Sequence, residues 1–155
     1  MLPTPTKFKP VSGSACARSA LNAFDAALLK AGIGNLNLVK VSSILPPRAK
    51  LDPELSIPPG SLVPTAYASI VSTSPGDVIA AAVAVGIAED PDSFGVIMEY
   101  SSHCSAQEAE QTVREMVREG FRIRGMKLKE IISTATECKV DDVAGCAFAA
   151  IALWY

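Results

Sequence analysis

The segment NLVKVSSILPP, residues 37–47, changes its backbone preference abruptly. Its first part alternates polar and apolar residues, a pattern typical of a β-strand with one covered face. Two adjacent serines, Ser42 and Ser43, end that part, and two prolines follow them. Because proline has no N–H group, it blocks further strand pairing. The segment therefore predicts a strand that ends at a serine pair, and a proline-rich loop over residues 46–60.

The composition indicates one globular domain over residues 1–155. Hydrophobic residues make up 49% of the 155-residue chain and charged residues 19%, which is enough apolar material for a core. The net charge is -2 and no basic run is present, so we expect no nucleic-acid partner. No apolar secretion segment or membrane-spanning run is visible. We therefore expect a cytoplasmic protein without a membrane partner.

The cysteine pattern gives no sign of a metal site. The chain has four cysteines and one histidine, His103, with no C-x-x-C pair and no zinc-ligand spacing. A single histidine also leaves little room for a histidine-based catalytic triad. We expect no metal, and reduced, mostly buried thiols at Cys16, Cys104, Cys138 and Cys146.

Local signals define the first half of the chain. The N-terminus, MLPTPTKFKP, is rich in proline and predicts a loose arm. Residues 19–31 predict a helix that Ser19 caps and Gly32 ends. Its predicted buried face contains Leu21, Phe24, Leu28 and Leu29. In the strand that follows, over residues 35–41, one face is expected to carry Leu36, Leu38 and Lys40, and the other Asn37, Val39 and Val41.

The second half alternates apolar runs with turn signals. Ser105 and Glu108 form a capping box that opens a helix, which Gly120 is expected to end. Neighbouring strands and only two long helices favour an α+β fold, with helices stacked on largely antiparallel sheet. The predicted strands cover residues 61–72, 78–87, 94–100, 127–137 and 145–155.

A serine pair in a loop ordinarily means nothing more than a loop, but one reaction gives it a function. The hydroxyl of a serine can attack the amide bond before it if the turn is strained and a nearby donor holds the oxyanion. The resulting ester can be lost by β-elimination, and hydrolysis of the dehydroalanine leaves a pyruvoyl group. That ketone is an electron sink comparable to pyridoxal phosphate.

Four blocks of the sequence closely resemble the archaeal-type pyruvoyl-dependent arginine decarboxylases. The resemblance spans residues 20–155, whereas the N-terminal arm and KPVSGSACARS around Cys16 fall outside it. The blocks are LNAFDAALLKAGIGNLNLVKVSSILPP, GSLVPTAYASI, GVIMEYSSHCS and GCAFAAIALWY.

The resemblance implies cleavage between Ser42 and Ser43. Residues 1–42 would form a β subunit, and residues 43–155 an α subunit whose N-terminus is a covalent pyruvoyl group derived from Ser43. It further implies a sandwich of sheets with helices outside, and a homotrimer of αβ units with active sites at the interfaces. L-arginine would form a Schiff base with the pyruvoyl group and leave as agmatine and CO2, in polyamine biosynthesis. No metal or diffusible cofactor is implied.

Glu99 is the implied general acid. It lies in the apolar strand sequence GVIMEY, where an unpaired carboxylate is costly to bury. A raised pKa would let it protonate the substrate carbon after CO2 leaves. Alternatively, it points outward or pairs with Arg122 or Arg124.

Three further residues receive roles from the resemblance. Asn37 would hold the oxyanion during self-cleavage, or it makes a structural hydrogen bond. Asp25 would bind the substrate guanidinium through paired charge-assisted hydrogen bonds, or it is a helix-surface charge. Ser42 would line the substrate pocket with the new carboxylate of the β subunit. We expect His103 and Cys104 to be structural or surface residues.

Two other functions remain open at this point. The same scaffold could act on another amino acid, since Asp25 favours a guanidinium without deciding the substrate. The chain could also be an unprocessed, non-enzymatic trimeric scaffold that keeps the peptide bond between Ser42 and Ser43.

Overall fold

The computed structural model describes residues 1–155 as a four-layered α+β sandwich, which confirms the predicted fold class. The elements in chain order are β1 (Lys7–Ala17), α1 (Ala20–Lys30), β2 (Asn37–Lys40), β3 (Ile44–Leu45), β4 (Lys50–Leu51), β5 (Leu62–Ser72), β6 (Val78–Ala88), β7 (Gly95–Ser102), α2 (Ala106–Arg124), β8 (Leu128–Lys139) and β9 (Ala144–Trp154).

Two sheets form the inner layers. The first sheet has the order β2-β5-β9-β1-β4, and the second has the order β3-β7-β6-β8. Only the short strands β2 and β4 pair in parallel, so both sheets are largely antiparallel. Helix α1 packs on the outer face of the first sheet and α2 on that of the second. Neither helix is long and apolar enough to cross a membrane.

The alternation of side chains along the long strands builds three apolar layers. On β6, Ile79, Ala81, Val83 and Val85 face the layer between the sheets, whereas Ala80, Ala82 and Ala84 face α2. The small side chains on the outer face let α2 approach β6 closely. This explains why an alanine-rich run, which also suited a helix, forms a fully covered strand.

Residues 1–6 of the predicted loose arm form no strand, but residues 7–10 belong to β1, so the prediction was wrong for that part. Strand β1 pairs with β9 at eleven positions, from Lys7 with Trp154 to Ala17 with Ala144. Its other edge is paired by β4 only at Lys7 and Phe8. Pro10 lies beyond β4, at a position where one edge is open, and such positions tolerate a missing N–H group.

Helix α1 has the predicted cap but a different buried face. The hydroxyl oxygen of Ser19 accepts a hydrogen bond from the Asn22 N–H group at 3.1 Å. Leu21 and Leu29, expected inside, are 76% and 53% exposed. Leu28 is buried as expected and Phe24 is half-buried, and the other buried residues of the helix are Ala23 and Ala27. Small side chains are preferred on the buried face because α1 lies close against Gly13 of β1. An added Cβ at Gly13 would be 2.5 Å from the Ala27 carbonyl oxygen.

Two further boundaries differ from the sequence prediction. The capping box of Ser105 and Glu108 opens α2 as predicted, but Gly120 lies inside the helix, which ends at Gly125 in a left-handed conformation. Gly120 is at a close approach, since an added Cβ would be 3.0 Å from Met98 Cε. Regular structure also continues after the serine pair, because β3 follows directly and β4 interrupts the loop at 46–60.

Candidate active site

The serine pair lies where the chain crosses from one sheet to the other. Strand β2 is the edge of the first sheet, and β3 is the edge of the second. The Val41 N–H group still donates to the Thr65 carbonyl of the first sheet at 3.1 Å, and Ile44 already pairs with Val96 of the second. The bond between Ser42 and Ser43 therefore bridges the two sheets.

The backbone on either side of this bond is held unequally. The half-buried Ser43 has its carbonyl fixed by the Ile97 N–H group at 2.7 Å. Ser42 is exposed, and its carbonyl accepts no hydrogen bond within the chain. The carbonyl that a Ser43 hydroxyl would attack is thus free, whereas the carbonyl after it is anchored.

Glu99 lies on β7, two residues beyond the anchoring Ile97. Both side chains point into the layer between the sheets, because alternate residues of a strand share a face. Glu99 pairs with the fully buried Val83 of β6, and its Oε2 atom is buried without a hydrogen-bond partner. Burial raises the pKa of Glu99, and the positive charge of Lys40 opposes that shift.

The alternative partners suggested for Glu99 are engaged elsewhere. Arg122 donates to Glu115 at 3.2 Å, and Arg124 donates to the Gly120 carbonyl at 3.1 Å. Glu99 is therefore a half-buried carboxyl group that has no ion-pair partner and lies two residues beyond Ile97, the anchor of Ser43. A carboxyl with these properties holds its proton to higher pH than a free glutamic acid.

Sequence reasoning missed Lys40 as part of this region. Lys40 is the last residue of β2, and its Nζ atom lies 4.6 Å from the ring centroid of Tyr67, which packs on Phe148. The lysine was visible as the single charged residue in the strand sequence NLNLVKV. Its aromatic partner is distant in sequence, and local patterns do not reveal such pairs.

Asn37 and Asp25 lie apart from the serine pair within one chain. Asn37 begins β2, and its Nδ2 atom donates to the Gly60 carbonyl at 2.9 Å. Asp25 is exposed on α1, on the outer side of the first sheet, whereas Glu99 points toward the inner side. One chain therefore brings Ser42, Ser43 and Glu99 together but leaves these two residues outside the group.

No cavity of the single chain encloses the site. Four surface cavities are present, and none is lined by Ser42, Ser43, Glu99, Asn37 or Asp25. The cavity nearest along the chain begins at Leu45 and Pro46. Within one chain, the serine pair and Glu99 therefore do not line an enclosed cavity.

His103 and Cys104 take the structural positions that were expected. The His103 Nε2 atom lies 3.3 Å from Asp77 Oδ2 at the surface, and Cys104 packs against the α2 layer. Cys138 and Cys146 are buried, but Cys16 is exposed, so the thiols are not all inside. No group of three or more His, Cys, Asp or Glu side chains is arranged to hold a metal ion.

Comparison with known proteins finds relatives that match nearly the whole chain. Residues 7–155 match the family described as pyruvoyl-dependent arginine decarboxylase. A protein of that name from Methanocaldococcus jannaschii is 52% identical over 151 residues, covering 97% of this chain and 91% of the relative. Proteins of the same name from Methanococcus vannielii and Pyrococcus abyssi are 51% and 47% identical to it. Each match covers 97% of this chain, and the two matches cover 92% and 96% of those relatives. Because the match begins at residue 7, the expectation that the N-terminal region falls outside the resemblance was wrong.

Proposed function

This chain belongs to the pyruvoyl-dependent arginine decarboxylase family, and on that premise we propose that it cleaves itself at Ser42–Ser43 and converts L-arginine to agmatine and CO2. Relatives that share about half of its residues over nearly the full length carry the name of this activity. The observation on which the proposal depends is the serine pair at the sheet crossing, next to the unpartnered buried oxygen of Glu99.

Self-cleavage begins with the Ser43 hydroxyl, which attacks the Ser42 carbonyl carbon and moves the acyl group from nitrogen to oxygen. β-Elimination of the ester then releases residues 1–42 with a C-terminal carboxylate. Water hydrolyses the remaining dehydroalanine to a pyruvoyl group and ammonia. The anchored carbonyl of Ser43 supports this sequence, since it keeps residue 43 in place while the free carbonyl of Ser42 changes geometry.

The surroundings of Ser43 fit a pyruvoyl group. The hydrogen bond from the Ile97 N–H group would hold the amide carbonyl of that group, and the buried Oε2 atom of Glu99 lacks a partner that a ligand could supply. When present, the pyruvoyl group accepts the electrons that CO2 leaves behind on the α-carbon. Glu99 then gives a proton to that carbon. Its raised pKa keeps the carboxyl group protonated, and so able to donate, to higher pH.

A second copy of the chain completes the substrate site in this proposal. Asp25 and Asn37 lie apart from Ser43 in one chain, and apolar side chains are exposed near the crossing, among them Val39 and Ile44 at 46% and 40%. Subunit contacts would cover these side chains and bring in the missing polar groups. The proposed assembly is a trimer of αβ units, in which Asp25 binds the guanidinium group and Ser42 lines the pocket.

Substrate identity is tested by assaying the purified, processed protein. We expect CO2 and agmatine from L-arginine, and no histamine, β-alanine or cadaverine from histidine, aspartate or lysine. Asp25→Asn should raise KM for arginine about tenfold to a hundredfold, since a charge-assisted contact contributes about 1.5–3 kcal/mol. Glu119→Gln removes the same charge from the exposed side of α2 and serves as the control. Preference for another amino acid would overturn the arginine assignment while leaving self-cleavage intact.

A further inference from the structure

Two cysteines face each other across the sandwich, far from the serine pair in sequence. Cys16 on β1 and Cys138 on β8 have their Sγ atoms 3.7 Å apart. Strand β1 belongs to the first sheet and β8 to the second. The contact therefore joins the two sheets through side chains alone.

The two strands are held in register beside this contact. Four residues earlier on each strand, Ser12 Oγ lies 2.8 Å from Thr134 Oγ1. The equal spacing of four residues places both contacts along the same facing pair of strands. Gly145 provides the space for the two sulfurs, because an added Cβ there would lie 2.9 Å from Cys138 Sγ and 3.7 Å from Cys16 Sγ.

The two thiols differ in accessibility. Cys16 is exposed, whereas Cys138 is buried. Burial raises the pKa of Cys138 to about 11, and the neighbouring Cys16 adds to that shift. Cys138 is therefore a protonated thiol at neutral pH, and an oxidant from solution meets Cys16 first.

We propose that Cys16 and Cys138 form a disulfide when the protein meets a peroxide, and that this disulfide joins residues 1–42 covalently to residues 43–155 after cleavage. The first part is independent of the proposed function, and the second part depends on self-cleavage. Cys16 lies in the smaller chain and Cys138 in the larger one. Oxidation thus restores a covalent link between two chains that hydrogen bonds and packing alone would otherwise hold together.

The reaction balances with one equivalent of peroxide. The Cys16 thiolate attacks hydrogen peroxide, which is reduced to hydroxide, and Cys16 becomes a sulfenic acid. The Cys138 thiol then attacks the Cys16 sulfur, and the sulfenic hydroxyl takes up the Cys138 proton and leaves as water. The sulfurs must close from 3.7 Å to about 2.05 Å, a shift within the reach of side-chain rotation.

The other cysteines are poor candidates for this bond. Cys146 packs in the layer beneath α1, on the opposite face of the first sheet, and its Sγ lies 3.7 Å from the Ala147 carbonyl. Cys104 lies in the α2 layer. Cys104→Ser therefore provides a matched control that removes one thiol and leaves the pair untouched.

The test is denaturing, non-reducing mass measurement of the purified protein before and after hydrogen peroxide, with free thiols alkylated. We expect the two chains to merge into one species that lacks two hydrogens and separates again with dithiothreitol. Cys16→Ser and Cys138→Ala should abolish the merged species, and Cys104→Ser should retain it. Two separate chains after oxidation, with both thiols still open to alkylation, would overturn the proposal.

Peptide mapping of the wild-type protein tests the disulfide even if the chain does not cleave itself or the variants do not fold. If the chain does not cleave itself, oxidised wild-type protein should still yield a cross-linked peptide pair containing Cys16 and Cys138. That result would reject self-cleavage and retain the disulfide. A cross-link through Cys104 or Cys146 instead would reject the assigned pair.

Discussion

The sheet crossing at Ser42–Ser43 and the centre of the first sheet are built in opposite ways. Strands β2 and β3 span four and two residues, lie at sheet edges, and each pairs with a single neighbour. Strands β1 and β9 lie in the interior of the first sheet and pair with each other at eleven positions. The proposed cut thus falls where the backbone is held by few hydrogen bonds.

The difference explains how a chain could be cut and stay assembled. Residues 1–42 contain β1, α1 and β2, so the smaller chain would keep its long pairing with β9 and the packing of α1. The edge can rearrange around the new ends, whereas the centre keeps the two chains together. The proposed cut therefore lies between the edge strands β2 and β3, whereas the cohesion of the two chains depends on β1 and β9 in the interior of the first sheet.

The largest expected effect comes from removing the nucleophile at the edge. Ser43→Ala lacks the hydroxyl that attacks the Ser42 carbonyl, so we expect an uncut chain without decarboxylase activity. Because the site lies at an edge, the free energy of unfolding should change little. Denaturing electrophoresis and an agmatine assay provide the measurement. Ser42→Ala keeps the nucleophile and should still cleave; cleavage in Ser43→Ala would show that another residue attacks.

Glu99→Gln should distinguish self-cleavage from decarboxylation. The variant should cleave itself normally, because Ser43 and its anchor at Ile97 are unchanged. Its kcat should fall by about 10²- to 10⁴-fold, the usual contribution of a positioned acid. Single-turnover decarboxylation by fully processed protein measures this loss.

The pH dependence of kcat provides a second test of Glu99, because the direction of the change is predicted. In the proposed mechanism Glu99 donates a proton, so wild-type kcat should fall as pH rises through its pKa, which burial raises above the ordinary value. Below that pKa the acid form predominates and this limb of the profile is flat. Glu99→Gln should lack the limb. Wild-type kcat that does not fall as pH rises above the ordinary carboxyl range, or full activity in the variant, would remove Glu99 from the mechanism.

A substitution at the centre should affect cohesion and leave cleavage chemistry in place. In Gly13→Ala, the new Cβ would lie 2.5 Å from the Ala27 carbonyl oxygen and 2.6 Å from the Ala31 nitrogen. Both are backbone atoms of the α1 region, so the helix must move away from β1, at a cost of about 1–3 kcal/mol. Denaturant unfolding measures the loss, and the smaller chain should dissociate more readily.

Ser14→Ala on the same strand is the control for this variant, since its half-buried hydroxyl makes no hydrogen bond within the chain. Equal stability of Gly13→Ala and Ser14→Ala would show that α1 is not held tightly against β1.

The smallest effect is expected from a surface ion pair near the edge. Arg48 Nε donates to Asp92 Oδ1 at 2.9 Å, but the side chains are 75% and 65% exposed. Asp92→Asn should lower the free energy of unfolding by less than about 1 kcal/mol, and high salt should erase the difference. Thermal unfolding at two salt concentrations measures it. A loss of cleavage in this variant would mean that the loop after β3 controls the crossing.

Local sequence signals predicted much of the fold because they depend on neighbouring residues. The cap at Ser19, the capping box at Ser105 and the alternation in β2 all depend on contacts within a few residues. Strand β1 was not predicted, because its pairing with β9 joins opposite ends of the chain and because Pro3, Pro5 and Pro10 make the segment resemble a loop. The buried face of α1 was misjudged because Gly13 favours alanine over leucine there.

The candidate site was predictable to a similar degree. Ser42, Ser43 and Glu99 were identified from motif and burial arguments, and the fold brings them to one crossing. The aromatic contact of Lys40 is tertiary and was not visible in the sequence. The roles of Asn37 and Asp25 stay predictions, since one chain does not bring either residue to Ser43.

Self-cleavage at the sheet crossing can be tested by the denatured mass of the purified protein. We expect two species, residues 1–42 and residues 43–155, and the larger one should lack its N-terminal amine and react with hydroxylamine. Such a result would establish a pyruvoyl group at position 43. A single chain of 155 residues that stays intact over long incubation and has no reactive carbonyl would contradict self-cleavage at the sheet crossing.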